Sequence, residues 1–222
     1  MISNLILAEK KAKQLFTEAE NRNYFSANQL ESELNTKLYQ LADELFNIKK
    51  FWHKRIVRCG VNTLLPYQAN PIDLIINEND ILFIDFGPVF EEWEADFGRT
   101  YVIGNDAQKL KLKNDVEQAW HIGKHFFDEN YATLTCSQFY NFTKELALKM
   151  GWQYGNHHCG HLIGNFPHEL ILGDEINNYF HADNHQLIAT LDIFNQKRYW
   201  IYEIHFIDTK SQIGGFFEQL IS

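Results

Sequence analysis

Cysteine is scarce: Cys59, Cys136 and Cys159 are the only three in 222 residues. They are odd in number, far apart and without zinc-finger spacing, which excludes a disulfide scaffold and points to a reducing compartment. No apolar run approaches membrane-spanning length, so the chain is expected to be soluble and to have no membrane partner. The opening "MISNLILAEKKAKQ" has neither a basic region before its apolar stretch nor a small-residue cleavage pattern after it. It does not read as a signal peptide, and a cytoplasmic protein is the expectation. Positive charge is scarce too. Twenty Lys and Arg against 29 Asp and Glu leave a net charge of −9, which argues against a phosphate-binding face and hence against nucleic acid.

What is present suits a packed interior: 45% apolar and 15% aromatic residues. Residues 1–22 carry Leu5, Ile6, Ala8, Ala12, Leu15 and Phe16 on one broad helical face. Ser26 is a candidate N-cap for a second helix with Leu30, Leu34, Leu38, Leu41, Leu45 and Phe46 at helical spacing. Strands are predicted at 55–60, 81–87 and 99–104, helices at 106–130 and 137–150, and strands again at 199–208 and 215–221. Helices followed by strands, twice over, predict an α+β fold whose two similar halves, roughly 1–105 and 106–222, form a single domain.

The strand-like segments are odd in their charge. Asp85 in "FIDFG", Asp96 in "EADFG", Glu203 in "WIYEIHF" and Glu218 in "GFFEQLI" lie among aromatics and aliphatics. A buried carboxylate is costly unless paired or bound to a cation, and four together would repel one another. A pair of divalent cations resolves the conflict, and carboxylates with an imidazole suit Mn²⁺, Fe²⁺, Co²⁺ or Zn²⁺. His161 in "HHCGHLIGNFPHE", flanked by Gly160 and Gly164, is the imidazole candidate.

Asp85 and Asp96 eleven apart, then HxxGHxxG, then HE, then two Glu on late strands resemble the pita-bread metallopeptidases, over roughly residues 50 to 221. That family includes methionine aminopeptidase, Xaa-Pro aminopeptidase, prolidase and the metal-free creatinase. The resemblance implies a pita-bread fold, two pseudo-symmetric halves around a curved antiparallel sheet. It also implies two metal ions, manganese first and cobalt, iron or zinc after it. Asp85 would hold one ion, His161 and Glu203 the other, with Asp96 and Glu218 shared. Such a pair makes a water nucleophilic near neutral pH and polarises a scissile carbonyl. Glu203 would shuttle the proton and His168 would donate to the oxyanion. Cleavage at the N-terminus of short peptides, of Xaa-Pro type, is the leading expectation. A metal-dependent amidase or lyase acting on a small non-peptide substrate, or a catalytically silent binding member of the fold, are the alternatives. A homodimer is compatible by analogy.

The pattern departs from the family at three places. Tyr67 stands in "GVNTLLPYQ" where a substrate-facing His is usual, and a phenol titrates near pH 10. Leu162 in "GHLIG" would narrow the pocket. Glu203 lies in "EIHF" instead of an "EPG" turn, and His205 shares its strand parity. The chain is also expected to lack the extra N-terminal domain of prolidase. His157 matches the first His of HxxGH and is expected behind the ligands, whereas His158 reads as no more than a turn residue. Glu91, Glu92 and Glu94 match no ligand and read as a solvated turn. His53, His121, His125, His181 and His185 read as structural histidines.

Overall fold

The computed structural model describes residues 1–167 and 175–222. Two helices, α1 (Ile2–Asn21) and α2 (Glu31–Phe46), open the chain. The strands of the first part are β1 (Gln29–Leu30), β2 (Ile56–Cys59), β3 (Ile75–Ile76), β4 (Ile81–Phe86), β5 (Val89–Phe90), β6 (Trp93–Glu94) and β7 (Phe97–Val102). Then come α3 (Ala107–Asn130) and α4 (Cys136–Lys149), followed by β8 (Gln153–Tyr154), β9 (His158–Ile163), β10 (Tyr179–His181), β11 (Tyr199–Asp208) and β12 (Ile213–Leu220). The main sheet runs β10-β9-β11-β12-β7-β4-β2 and is antiparallel at every join, with β8 added against β11. The two parts of the chain meet where β7 pairs with β12.

Alternation along the strands separates two jobs. Leu82, Ile84 and Phe86 of β4 pack with Leu15 and Phe16 of α1 and Leu34 and Leu38 of α2. Tyr202, Ile204 and Phe206 of β11 and Phe217 of β12 pack with Trp120 of α3 and Phe139 of α4. Full burial of each such side chain is worth about 1.5–3 kcal/mol, so all four helices are held to one face of the sheet. The intervening residues, Asp85, Glu203, His205 and Glu218, face the other way. There Ile56, Phe83 and Phe216 form a small apolar floor. That face carries the site.

α1 matches the expected helix, with Leu5, Ala8, Ala12, Leu15, Phe16 and Ala19 on one buried stripe, but Ile6, expected on that face, is exposed. The start of α2 differs. Ser26 does not cap it: its backbone carbonyl accepts from the Gln29 side chain, Gln29 and Leu30 pair with β3, and the Leu30 N–H donates to Glu33 Oε2 at 2.8 Å. The strand expected at 99–104 runs from Phe97 and stops before Gly104, whose φ of +85° turns the chain. β9 was not expected at all. Its sequence looks like a turn, yet Gly160 at φ +145° lies so close to β11 that a Cβ would overlap the Ile201 carbonyl oxygen. No helix among the described residues is long and apolar enough to cross a membrane.

Candidate metal centre

A single row across four strands organises the centre. Asp85 on β4 stands opposite Gly98 on β7, Gly98 opposite Glu218 on β12, and Glu218 opposite Glu203 on β11. Three acids thus share a row with one gap. The gap is Gly98, where a Cβ would run into the Phe216 ring and lie 3.0 Å from the Glu218 Cβ. Asp96 comes two residues before Gly98 and completes the set. All four carboxylates are buried.

Two histidines close on Asp96. His161, from β9, places Nε2 at 3.0 Å from Asp96 Oδ2 and 3.9 Å from Glu218 Oε1. His53, from the segment leading into β2, places Nε2 at 3.1 Å from Asp96 Oδ1 and 3.5 Å from Asp85 Oδ1. Two groups of candidate ligand atoms result, His53–Asp85–Asp96 and Asp96–His161–Glu218, with atoms within 4.8 Å of one another in each. Asp96 belongs to both. His53 was expected to be structural, and only the tertiary fold brings it here.

The charges are strongly perturbed. Burial pushes the Asp85 carboxyl up to about 7, with His53 opposing and Asp96 and Glu203 adding to the rise. Burial, reinforced by Asp96, Asp85 and Glu203, lifts Glu218 well above the carboxylate range. For Asp96 burial acts upward, but His53 and His161 outweigh it and hold the group below its ordinary value. Burial acts downward on His53, but Asp96 and Asp85 win and raise it to about 9. His161 is likewise raised, its bond to Asp96 outweighing burial.

The donor set fits divalent cations. Asp85 Oδ1, Glu203 Oε1 and Glu218 Oε2 are buried acceptors that receive no hydrogen bond. Three such atoms in one cluster are a large uncompensated cost in a protein interior, and a bound cation would remove it. Hard oxygens with one or two imidazoles suit first-row divalent ions.

The remaining residues take distinct places. Glu203 Oε2 accepts from the Asn156 side chain at 3.3 Å, and its Oε1 lies 2.6 Å from His158 Nδ1, off the line a hydrogen bond needs. His158 lines the cavity, whereas His157 is exposed and does not line it. Leu162 is buried and forms cavity wall. Tyr67 lies exposed at the rim, and its hydroxyl accepts from the Lys54 N–H at 3.0 Å. His205 shares the cavity floor, but its Nε2 donates to the Thr63 carbonyl at 2.8 Å, and burial lowers its pKa. His168 lies outside the described residues.

Glu94 needs correction. Glu91 and Glu92 are exposed, as expected of a solvated turn, but Glu94 is fully buried and lines the cavity. The β5–β6 hairpin folds onto the end of β9, where the Gly164 N–H donates to Glu94 Oε2 at 3.2 Å and the Glu94 N–H to the Gly164 carbonyl at 3.2 Å. The whole cavity measures about 860 Å³. That is room for a short peptide.

Acids and imidazoles gathered on the open face of such a sheet define a metallohydrolase-like centre, and comparison with known proteins gives its class. The chain belongs to metallopeptidase family M24, whose sequence profile matches residues 4–195. The peptidases of that family depend on metal. An uncharacterized peptidase of Methanocaldococcus jannaschii is 28% identical over 170 residues, covering 72% of this chain and 45% of its own. A Xaa-Pro dipeptidase of Pyrococcus horikoshii is 25% identical over 115 residues, 51% of this chain and 32% of its own. The chain therefore spans less than half the length of these curated relatives. The crystal structure of an X-Pro aminopeptidase from Thermotoga maritima superposes with a TM-score of 0.74 at 19% identity, covering 98% of this chain and 56% of that one. The fold is the pita-bread arrangement.

Proposed function

We infer that the protein is a metal-dependent peptidase that removes residues from the N-terminus of short peptides, with a preference of Xaa-Pro type. One observation carries the reading: the two oxygens of Asp96 are divided between two ligand groups. A carboxylate so placed suits a pair of cations, with manganese the first choice. Asp85, Asp96, His161, Glu203 and Glu218 would hold them, and they would supply Lewis-acid polarisation of the scissile carbonyl and activation of water.

The chain's own residues have separable tasks. The row of Asp85, Glu218 and Glu203 fixes the width of the centre, because strand pairing sets its spacing. Glu203 is steadied by Asn156 on one oxygen and approached by His158 on the other, so it is placed to take and return a proton during amide cleavage. Leu162, Phe166 and Trp52 line the cavity with apolar surface against the peptide side chain. Both halves supply ligands, so we treat residues 1–222 as one catalytic unit. All three cysteines are free and buried, which supports a cytoplasmic setting.

The test is metal content and turnover together. Protein re-equilibrated with Mn²⁺ should carry about two ions per chain and cleave Xaa-Pro dipeptides and tripeptides. Asp96→Ala should lose both the metal and the turnover. Activity on a small non-peptide amide with none on the peptide panel would replace the substrate, and wild-type protein without metal would remove the mechanism.

A further inference from the structure

His53 is absent from the ligand set that the sequence pattern implies, yet its imidazole enters the centre. Its two nitrogens have unequal surroundings. Nδ1 lies 2.9 Å from the Lys54 carbonyl oxygen. A carbonyl oxygen only accepts, so Nδ1 carries a hydrogen and donates it. Nε2 is then the nitrogen presented to Asp85 and Asp96. His161 is built the same way: its Nδ1 donates to the Leu162 carbonyl at 2.8 Å and its Nε2 faces Asp96 and Glu218. In both cases the carbonyl belongs to the very next residue. An imidazole whose far N–H is fixed on a backbone carbonyl has its tautomer and ring orientation set for coordination through the other nitrogen.

The sequence around His53 is shaped to seat the ring. A Cβ at Gly87 would overlap the His53 imidazole and crowd the Trp52 indole nitrogen. The Trp52 indole N–H donates to the Ala95 carbonyl at 2.9 Å, and its backbone N–H donates to the Gly87 carbonyl at 2.9 Å. The residue before His53 is therefore tied to both ends of the segment that joins Asp85 to Asp96. The ring is held, not merely nearby.

We propose that His53 is an additional metal ligand, coordinating through Nε2 the ion held by Asp85 and Asp96, so that each of the two positions carries one imidazole. The proposal rests on the metal-dependent reading above. It gives the Asp85 position a softer and more strongly held ligand set than carboxylates alone.

The test uses Co²⁺ as the probe. Metal-free wild-type protein and the variants His53→Gln and His161→Gln are titrated with Co²⁺ by calorimetry, and the imidazole count per cobalt is read by X-ray absorption. Wild type should bind two equivalents with an average of about one imidazole per cobalt. His53→Gln should weaken one position at least about tenfold and leave the other, while His161→Gln should weaken the opposite one. Should His53→Gln fail to fold, the wild-type imidazole count decides alone. About one half per cobalt in wild type, or two unchanged affinities in His53→Gln, overturns the ligand role and leaves the peptidase reading standing. Wild type that binds no cobalt overturns the metal-dependent reading, and this proposal with it.

Discussion

His53 and His161 approach opposite oxygens of one carboxylate, at 3.1 Å from Asp96 Oδ1 and 3.0 Å from Asp96 Oδ2. The two histidines come from different halves of the chain. Asp96 is therefore the point at which those halves are joined chemically, and the surrounding residues can be tested for how they support it.

Gly98 keeps the middle of the carboxylate row open. Gly98→Ala should destabilise the protein by about 1–3 kcal/mol, because the new methyl group must displace the Phe216 ring beside Glu218. Denaturant unfolding measures the loss. Metal affinity should fall with it, and an unchanged unfolding midpoint would mean the ring moves freely.

Glu94 separates a structural acid from the ligands. Glu94→Ala leaves the Gly164 N–H without its acceptor and should cost about 1–3 kcal/mol, while Glu94→Gln, which keeps an acceptor oxygen, should cost less. Metal stoichiometry should stay at the wild-type value in Glu94→Gln. A variant that folds normally but loses metal would move Glu94 into the ligand set.

Tyr67 offers a smaller effect. Its hydroxyl accepts from the Lys54 backbone, so Tyr67→Phe removes one partly exposed hydrogen bond worth about 1 kcal/mol. Peptidase kcat should change by less than about tenfold, the change expected of a group that steadies the segment carrying His53 through the Lys54 N–H. A collapse in kcat with KM unchanged would assign the phenol to chemistry.

The metal-free protein should become less stable as pH rises. Asp85, Glu218, His53 and His161 all have raised values in the fold, so the folded state holds more protons than the unfolded chain. Such groups contribute fully below their unfolded values and lose that contribution as pH passes their folded ones, here from about pH 4 to about 9. His205, lowered by burial, acts in the opposite sense but alone among these five. Asp96, held low, matters only below about pH 4. Thermal midpoints of chelator-treated protein between pH 5.5 and 9 should fall, and Mn²⁺ should flatten the slope. A midpoint that rises with pH in the metal-free form would contradict this balance.

Much of the centre was legible because carboxylates inside apolar strands are conspicuous. Asp85, Asp96, Glu203 and Glu218 stand out on that ground, and His161 through its flanking glycines. His53 carried no such signal. It precedes β2 by three residues, and it reaches Asp96 only because β2 pairs with β4 about thirty residues on. The contrast between His157 and His158 was hidden for another reason. Tyr179 faces His161 and His181 faces His158, so three steps on β9 match two on β10. That bulge lets His158 and His161, an odd number of residues apart, both reach the cavity. Without reading β9 as a strand, neither its parity nor its break was visible. The hairpin that buries Glu94 was lost to the same limit, since two-residue strands leave no period to read.

Glu203 and Glu218 are direct cross-strand neighbours, and that has a consequence for assembly. Two like charges facing each other oppose the pairing of β11 with β12, whereas a shift of one residue would send one of them to the helix-covered face. A cation between the carboxylates reverses the first preference and does nothing for the second. An ion held between them would therefore act as a proofreader of strand alignment: it would reward only the register that presents both acids together, and a misaligned chain would have no means of retaining it.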